Sequence, residues 1–124
     1  MAAPIISFGA LVTLEELTSA SQHFKEGASL RVTGKLQDYN VETAIAIIND
    51  GAATLKVDTQ HLKINFRMSS IYQFIGELHF DSPDEVVLKA RVGRNVDGID
   101  LNLYHQSIKL LQEFQSDQIR KQAP

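Results

Sequence analysis

The sequence predicts a mainly-β fold, a small five-stranded barrel preceded by a short helix and closed by one long helix. Three observations point there. Five segments of apolar/polar alternation are separated by turn signals, the mark of half-buried strands. Glycines interrupt two of those segments in mid-strand, at Gly34 and Gly76, where a bend or bulge lets a strand curl. The last quarter then changes to a helical period.

Residues 1–10 are an extended lead-in. Thr13 followed by Glu16 forms a capping box, and Val12 with Leu17 suits a hydrophobic staple, so a short helix starts there. Thr18-Ser19-Ala20-Ser21 ends it, leaving a plug or lid on the domain. After the turn Lys25-Glu26-Gly27, Leu30, Val32, Gly34 and Leu36 alternate with Ser29, Arg31, Thr33 and Lys35 in the first strand. Asp38-Tyr39-Asn40 signals a turn. Thr43–Ile48 is the second strand, and Asn49-Asp50-Gly51 leads by a hairpin into a third over Thr54–Thr59. Residues 60–70 are ambiguous: Leu62, Ile64, Phe66 and Met68 alternate like a strand, while Lys63, Asn65 and Arg67 suit a loop or short helix equally. Ile71–Phe80 is the fourth strand, Asp81-Ser82-Pro83-Asp84 a turn, and Val86–Val92 the fifth strand, with Val86, Leu88, Ala90 and Val92 on one face. Asp97-Gly98 turns the chain and Asp100 serves as N-cap of a helix running to about Arg120.

This order fits a Greek-key barrel of the OB-fold type, where a helix often links the third and fourth strands; residues 60–70 fall at that place. A small α+β domain with an open antiparallel sheet is the alternative. All of 1–124 is expected to be one domain, with about 10–97 forming the short helix and barrel and about 100–120 the terminal helix.

Composition narrows the function classes. The 124 residues include no cysteine, which removes disulfides, thiolate metal sites and thiol nucleophiles together. No apolar run approaches the roughly 18 residues of a membrane span, and Met-Ala-Ala-Pro lacks the regions of a secretory signal. A soluble intracellular protein without membrane partners is expected. The formal net charge is −3, whereas a stand-alone nucleic-acid binder usually carries a basic excess. Either nucleic acid is not the ligand, or a partner supplies most of the positive charge.

Catalysis has no constellation to support it. His23, His61, His79 and His105 lack metal-ligand spacing, and Asp97-x-x-Asp100 lacks the ligand density of a calcium loop. There is neither a G-x-S-x-G elbow nor a glycine-rich phosphate loop. No enzyme activity, metal or cofactor is expected. For nucleic acid, OB-fold grooves combine cations with aromatic platforms. Arg31, Lys35, Lys56, Lys89 and Arg91 with Tyr39 and Tyr72 are the candidates, against the alternative of solvated outer-face charges and rim tyrosines. An autonomous single-stranded DNA- or RNA-binding protein is the rival function this would support.

The terminal helix carries the stronger signal. At about 100° per residue, Leu101, Tyr104, Ile108, Leu111 and Ile119 fall within roughly an 80° arc, and Leu103, Leu110 and Phe114 form a second arc roughly 60° or more away. A surface helix on a small domain normally needs one apolar face. Two faces imply that one packs on the chain's own body and the other on a partner, and the sequence leaves open which does which. Leu101, Tyr104, Ile108 and Leu111 are taken as docking residues for their helix-packing spacing.

Four motifs in order carry a family likeness: Gly27-Ala28-Ser29-Leu30-Arg31-Val32-Thr33-Gly34-Lys35-Leu36, Ile71-Tyr72-Gln73-Phe74-Ile75-Gly76-Glu77-Leu78, Val87-Leu88-Lys89-Ala90-Arg91-Val92 and Val96-Asp97-Gly98-Ile99-Asp100-Leu101. From about Gly9 to Phe114 the chain resembles the Ten subunits of the telomere-associated CST complex, in a plant-like version. The resemblance implies a single OB-fold, similar to the small subunit of replication protein A, that heterodimerises with the N-terminal OB domain of the middle CST subunit. It further implies assembly with the large subunit, single-stranded telomeric DNA bound mainly by the complex, telomere end protection in the nucleus, and indirect work with DNA polymerase α–primase in lagging-strand fill-in. By position, it adds Arg31 and Phe114 as heterodimer residues.

Overall fold

The computed structural model describes residues 9–122, with side chains described as far as Phe114. Of the extended lead-in, residues 1–8 lie outside the described residues. The described elements are β1 (Ala10–Leu11), a single 3-10 turn (Leu14–Glu16), β2 (Ser29–Asn40), β3 (Ile45–Asp50), β4 (Ala53–Asp58), β5 (Ile71–Ser82), β6 (Glu85–Asn95) and α1 (Leu101–Gln122).

The five long strands close into a barrel. Antiparallel pairing runs β2–β3, β3–β4, β5–β6 and β2–β5, and a short parallel pairing of Lys56, Val57 and Asp58 with Val87, Leu88 and Lys89 joins β4 to β6. β1 adds to the edge beside Leu30 and Arg31 in parallel. This is the five-stranded barrel with a long C-terminal helix that the alternation predicts. Its interior is filled by alternate residues of every strand, among them Leu30, Val32, Ile48, Val57, Phe74 and Leu88, each fully buried.

Two details differ from the sequence expectation, and a third settles an open alternative. The predicted N-terminal helix is only the 3-10 turn, held by Glu16 Oε1, which accepts from the Thr13 N–H and hydroxyl at 3.0 Å each. Val12 and Leu14 are buried beside it, so the turn plugs the barrel as expected of a lid. Residues 60–70 form neither strand nor helix. Leu62, Ile64 and Phe66 still reach the core from an irregular loop, which is why the segment alternates like a strand. Asp38-Tyr39-Asn40 is the end of β2 rather than a turn.

Two bulges account for most of the altered facing. In β2 the register slips between Leu36 and Asp38, so Gln37 is the extra residue. That slip turns Tyr39 inward, where its ring lies 4.9 Å from Phe66. In β6 the partners of Ile75 and Gly76 are Val92 and Ala90, so Arg91 is the extra residue. Beyond Arg91 the faces exchange: Gly93 looks inward at Phe74 and Val92, expected in the core, is 46 % exposed. Gly76 stands opposite this bulge. A Cβ there would lie 2.1 Å from the Lys89 carbonyl oxygen, so the close passage of β5 and β6 excludes any side chain.

The turn before α1 is tied to β5. Asp97 Oδ1 accepts from the Ile71 N–H at 2.7 Å, and this bond, aided by the Ser70 side chain, holds the Asp97 carboxyl below the usual carboxylate range.

Two outcomes are expected. Gly76→Ala lowers stability by about 2 kcal/mol or more, the cost of forcing atoms into a packed wall, read as a lower denaturation midpoint in urea. Asp97 has a depressed folded pKa, so its contribution is present above the unfolded pKa and is lost as pH falls through the folded one. Melting temperature between pH 5 and pH 2 therefore falls more steeply in the native chain than in Asp97→Ala.

Candidate functional site

Asp100 starts α1 by accepting the N–H groups of Asn102 and Leu103 at 2.9 and 3.2 Å, the N-cap read from the sequence. The helix then meets the barrel wall. Ile108 is 2 % exposed and Leu101 and Tyr104 are half-buried, so these three residues of the first apolar arc face this chain's own body.

Polar contacts hold that face. The Tyr104 hydroxyl accepts from Thr33 Oγ1 at 3.0 Å and from Gln73 Nε2 at 3.2 Å. Gln73, buried in β5, in turn accepts on Oε1 from Arg94 Nε and Nη2 at 3.2 and 2.9 Å. Outward-facing groups of β2, β5 and β6 are thereby linked through one tyrosine. His105 Nε2 meets Asp50 Oδ2 at 2.5 Å, at the β3–β4 turn. Gln112 Nε2 donates to the Leu11 carbonyl at 3.4 Å and to Glu16 Oε2 at 3.2 Å.

The second arc is open. Leu103, Leu110 and Phe114 are 59, 66 and 61 % exposed, with Leu111 at 45 % on their flank. Single exposed leucines are ordinary, but several large apolar residues aligned along one helix stripe are not. Arg31 lies at the root of this stripe. It lines a groove of about 620 Å³ with Leu111, Gln112 and Ala10, and a shallow cavity of about 240 Å³ with Ile75, Val92 and Arg94.

The expected docking residues are therefore divided. Leu111 and Phe114 are exposed, with Arg31 and Leu111 lining one groove. Ile108 is enclosed, Leu101 is half-buried, and the Tyr104 hydroxyl is bonded to Thr33 and Gln73. Leu103 and Leu110 share the exposed side with Phe114, visible in the sequence as a second arc but without a sign of which arc the barrel would take. Ile119, counted in the first arc, lies outside the residues whose side chains are described.

The nucleic-acid candidates are not brought together. Tyr72 is 1 % exposed and its hydroxyl accepts the Arg67 N–H at 2.8 Å, so its face is closed to a base. Tyr39, turned inward by the β2 bulge, packs on Phe66. The Arg91 guanidinium donates to the Glu77 carboxylate at 2.8 Å. Lys56 Nζ lies 2.6 Å from Glu85 Oε1 and holds that carboxyl below its usual range. Lys35 and Lys89 are exposed on different strands. Two of the five basic candidates thus spend charge on neighbouring carboxylates. Among the described residues, no helix is long and apolar enough to cross a membrane, and no group of three His, Asp or Glu is placed to hold a metal ion.

Three comparisons bear on this arrangement. The model of the family described as "Telomere-capping, CST complex subunit" matches residues 5–118. The chain is 54 % identical over 116 residues to CST complex subunit TEN1 of Arabidopsis thaliana, covering 92 % of this chain and 91 % of that protein. Among solved structures, the S. pombe Stn1–ten1 complex superposes with a TM-score of 0.69 at 20 % identity, over 83 % of this chain and 90 % of that one. The telomere capping protein Ten1 of S. pombe gives 0.68 at 20 % identity, over 83 and 96 %. At those identities the structures speak for the barrel and helix alone, whereas the family model and the Arabidopsis relative span nearly the whole chain. This chain belongs to the telomere-capping, CST complex subunit family.

Proposed function

We propose that the chain is an accessory, non-enzymatic OB-fold subunit of a CST complex, and that it enters the complex by laying the outer stripe of α1 on the N-terminal OB domain of the middle subunit. One observation carries this: a helix already anchored on its own barrel presents Leu103, Leu110, Leu111 and Phe114 to solvent. A second OB domain with its own apolar helix would cover that stripe by helix–helix packing. The S. pombe structure of a Stn1–ten1 complex supports a partner of that kind. Arg31, next to Leu111 in one groove, belongs to the same surface.

In this role the subunit acts in the nucleus at chromosome ends. The complete complex, including its large subunit, binds single-stranded telomeric DNA, protects the end and assists DNA polymerase α–primase in lagging-strand fill-in. This chain's own contribution to phosphate binding is minor, in keeping with a net charge of −3 and with Lys56 and Arg91 paired to carboxylates. Lys35 and Lys89, exposed on β2 and β6, are candidates to touch DNA within the assembly.

Light scattering on a mixture of the chain and the middle subunit's OB domain is expected to give the mass of a 1:1 heterodimer. Leu103→Asp or Phe114→Asp should weaken it by about thirtyfold or more, the loss of one central hot spot, while Gln106→Asp on the polar side leaves it intact. A heterodimer insensitive to both stripe variants would refute the docking surface. For the isolated chain, single-stranded DNA affinity at physiological salt should be weaker than about 10⁻⁴ M, the weak end of non-specific binding. Tighter binding would favour an autonomous nucleic-acid-binding protein.

A further inference from the structure

We infer that the roll of α1 on the barrel is set by a two-sided polar clamp, with Tyr104 on one shoulder and His105 and Gln112 on the other, and that this clamp decides which apolar arc is offered outward. The helix poses a choice that burial does not resolve. Hydrophobic contact is non-directional and scales with area, and both arcs hold residues large enough to cover the barrel wall. Among the described side chains of α1, Ile108 is the one that is fully buried, so a single apolar knob is the pivot. One pivot allows rolling.

The polar anchors stand on either side of it. At about 100° per residue, Tyr104 lies about 40° to one side of Ile108, while Gln112 and His105 lie about 40° and 60° to the other. Tyr104 reaches across to Thr33 on β2 and Gln73 on β5. On the far shoulder His105 reaches Asp50 at the β3–β4 turn, and Gln112 reaches Leu11 and Glu16 in the N-terminal segment. These partners belong to well-separated parts of the wall, so a roll in either direction breaks one set. Hydrogen bonds are directional where apolar contact is not, and a roll that breaks the Tyr104 set takes from Thr33, 3 % exposed, the acceptor of its hydroxyl, while Gln73, 8 % exposed, keeps its bonds to Thr33 and Arg94. Tyr104, His105 and Gln112 are thus positioning residues. Their effect on assembly rests on the heterodimer proposed above; their effect on roll does not.

The absence of native cysteine allows a direct test. Single reporters are placed at Ile108→Cys, on the pivot, at Leu110→Cys, on the outer stripe, and at Val57→Cys, in the barrel interior. In the otherwise native chain the thiol at 108 should react slowly with a maleimide and the thiol at 110 fast. Adding Tyr104→Phe and His105→Ala, one cut on each shoulder, should shrink the ratio of the two rates by about tenfold or more, from the loss of two hydrogen-bonded contacts, with the thiol at 57 still protected. In chains without reporters, each single variant should weaken heterodimer formation by about fivefold. An unchanged ratio in the doubly cut chain overturns the inference. So does loss of protection at 57 together with 108, which would mean the contacts support the barrel rather than the roll. If the native chain fails to bind the middle subunit's OB domain while the ratio still collapses, the clamp stands and the heterodimer proposal falls.

Discussion

β2 is hydrogen-bonded on both edges, to β5 over Ser29–Lys35 and to β3 over Lys35–Asn40. That double pairing turns a sheet into a cylinder, and the rest of the structure depends on it. Closure pairs each of the five strands with two neighbours over at least part of its length, and it encloses an apolar interior that local patterns alone could not define. Closure also demands bending, and the bends are concentrated at Gln37 and Arg91, where one extra residue enters the ladder. Gly76 belongs to the same device, because the strands approach too closely opposite Arg91 for any Cβ.

The bulges do more than curve the wall. By exchanging faces they move Tyr39 into the core margin and put Val92 outside, next to Ile75, Arg31 and Arg94. The outer wall of β2, β5 and β6 thereby gains an apolar and cationic patch, and its neighbour Gln73 becomes the acceptor for Arg94 and a donor to Tyr104. The seat of α1 is thus a product of barrel closure. Once the helix is seated, burying Ile108 leaves Leu103, Leu110 and Phe114 without cover. An exposed apolar stripe follows from how the barrel was closed, several strands away.

Charge tells a related story. Cations on the strand exteriors look alike in a list of residues, yet Arg91 and Lys56 each stand beside a carboxylate brought there by cross-strand register. Exposed pairs of this kind contribute little to stability, but they lower the local positive potential and with it the attraction for phosphate.

Elements that depend on local chemistry are legible along the chain: the five alternating strands, the Thr13–Glu16 capping box, the Asp100 cap and the long helix with two apolar arcs. Side-chain period and capping are properties of neighbours within a few residues, so a linear reading captures them. Family membership is legible because its motifs stand in order along the chain. The rest is set by packing between distant parts of the chain. Residues 60–70 alternate because they dip repeatedly into a core built by other strands, and no local signal separates that from a strand. Tyr72 and Tyr39 read as rim platforms until burial and a one-residue bulge turned them inward. The assignment of the helix arcs needed Thr33, Gln73, Asp50 and Leu11 to be in place, since hydrogen bonds to distant parts of the wall, and not hydrophobicity, distinguish two faces of nearly equal apolar content.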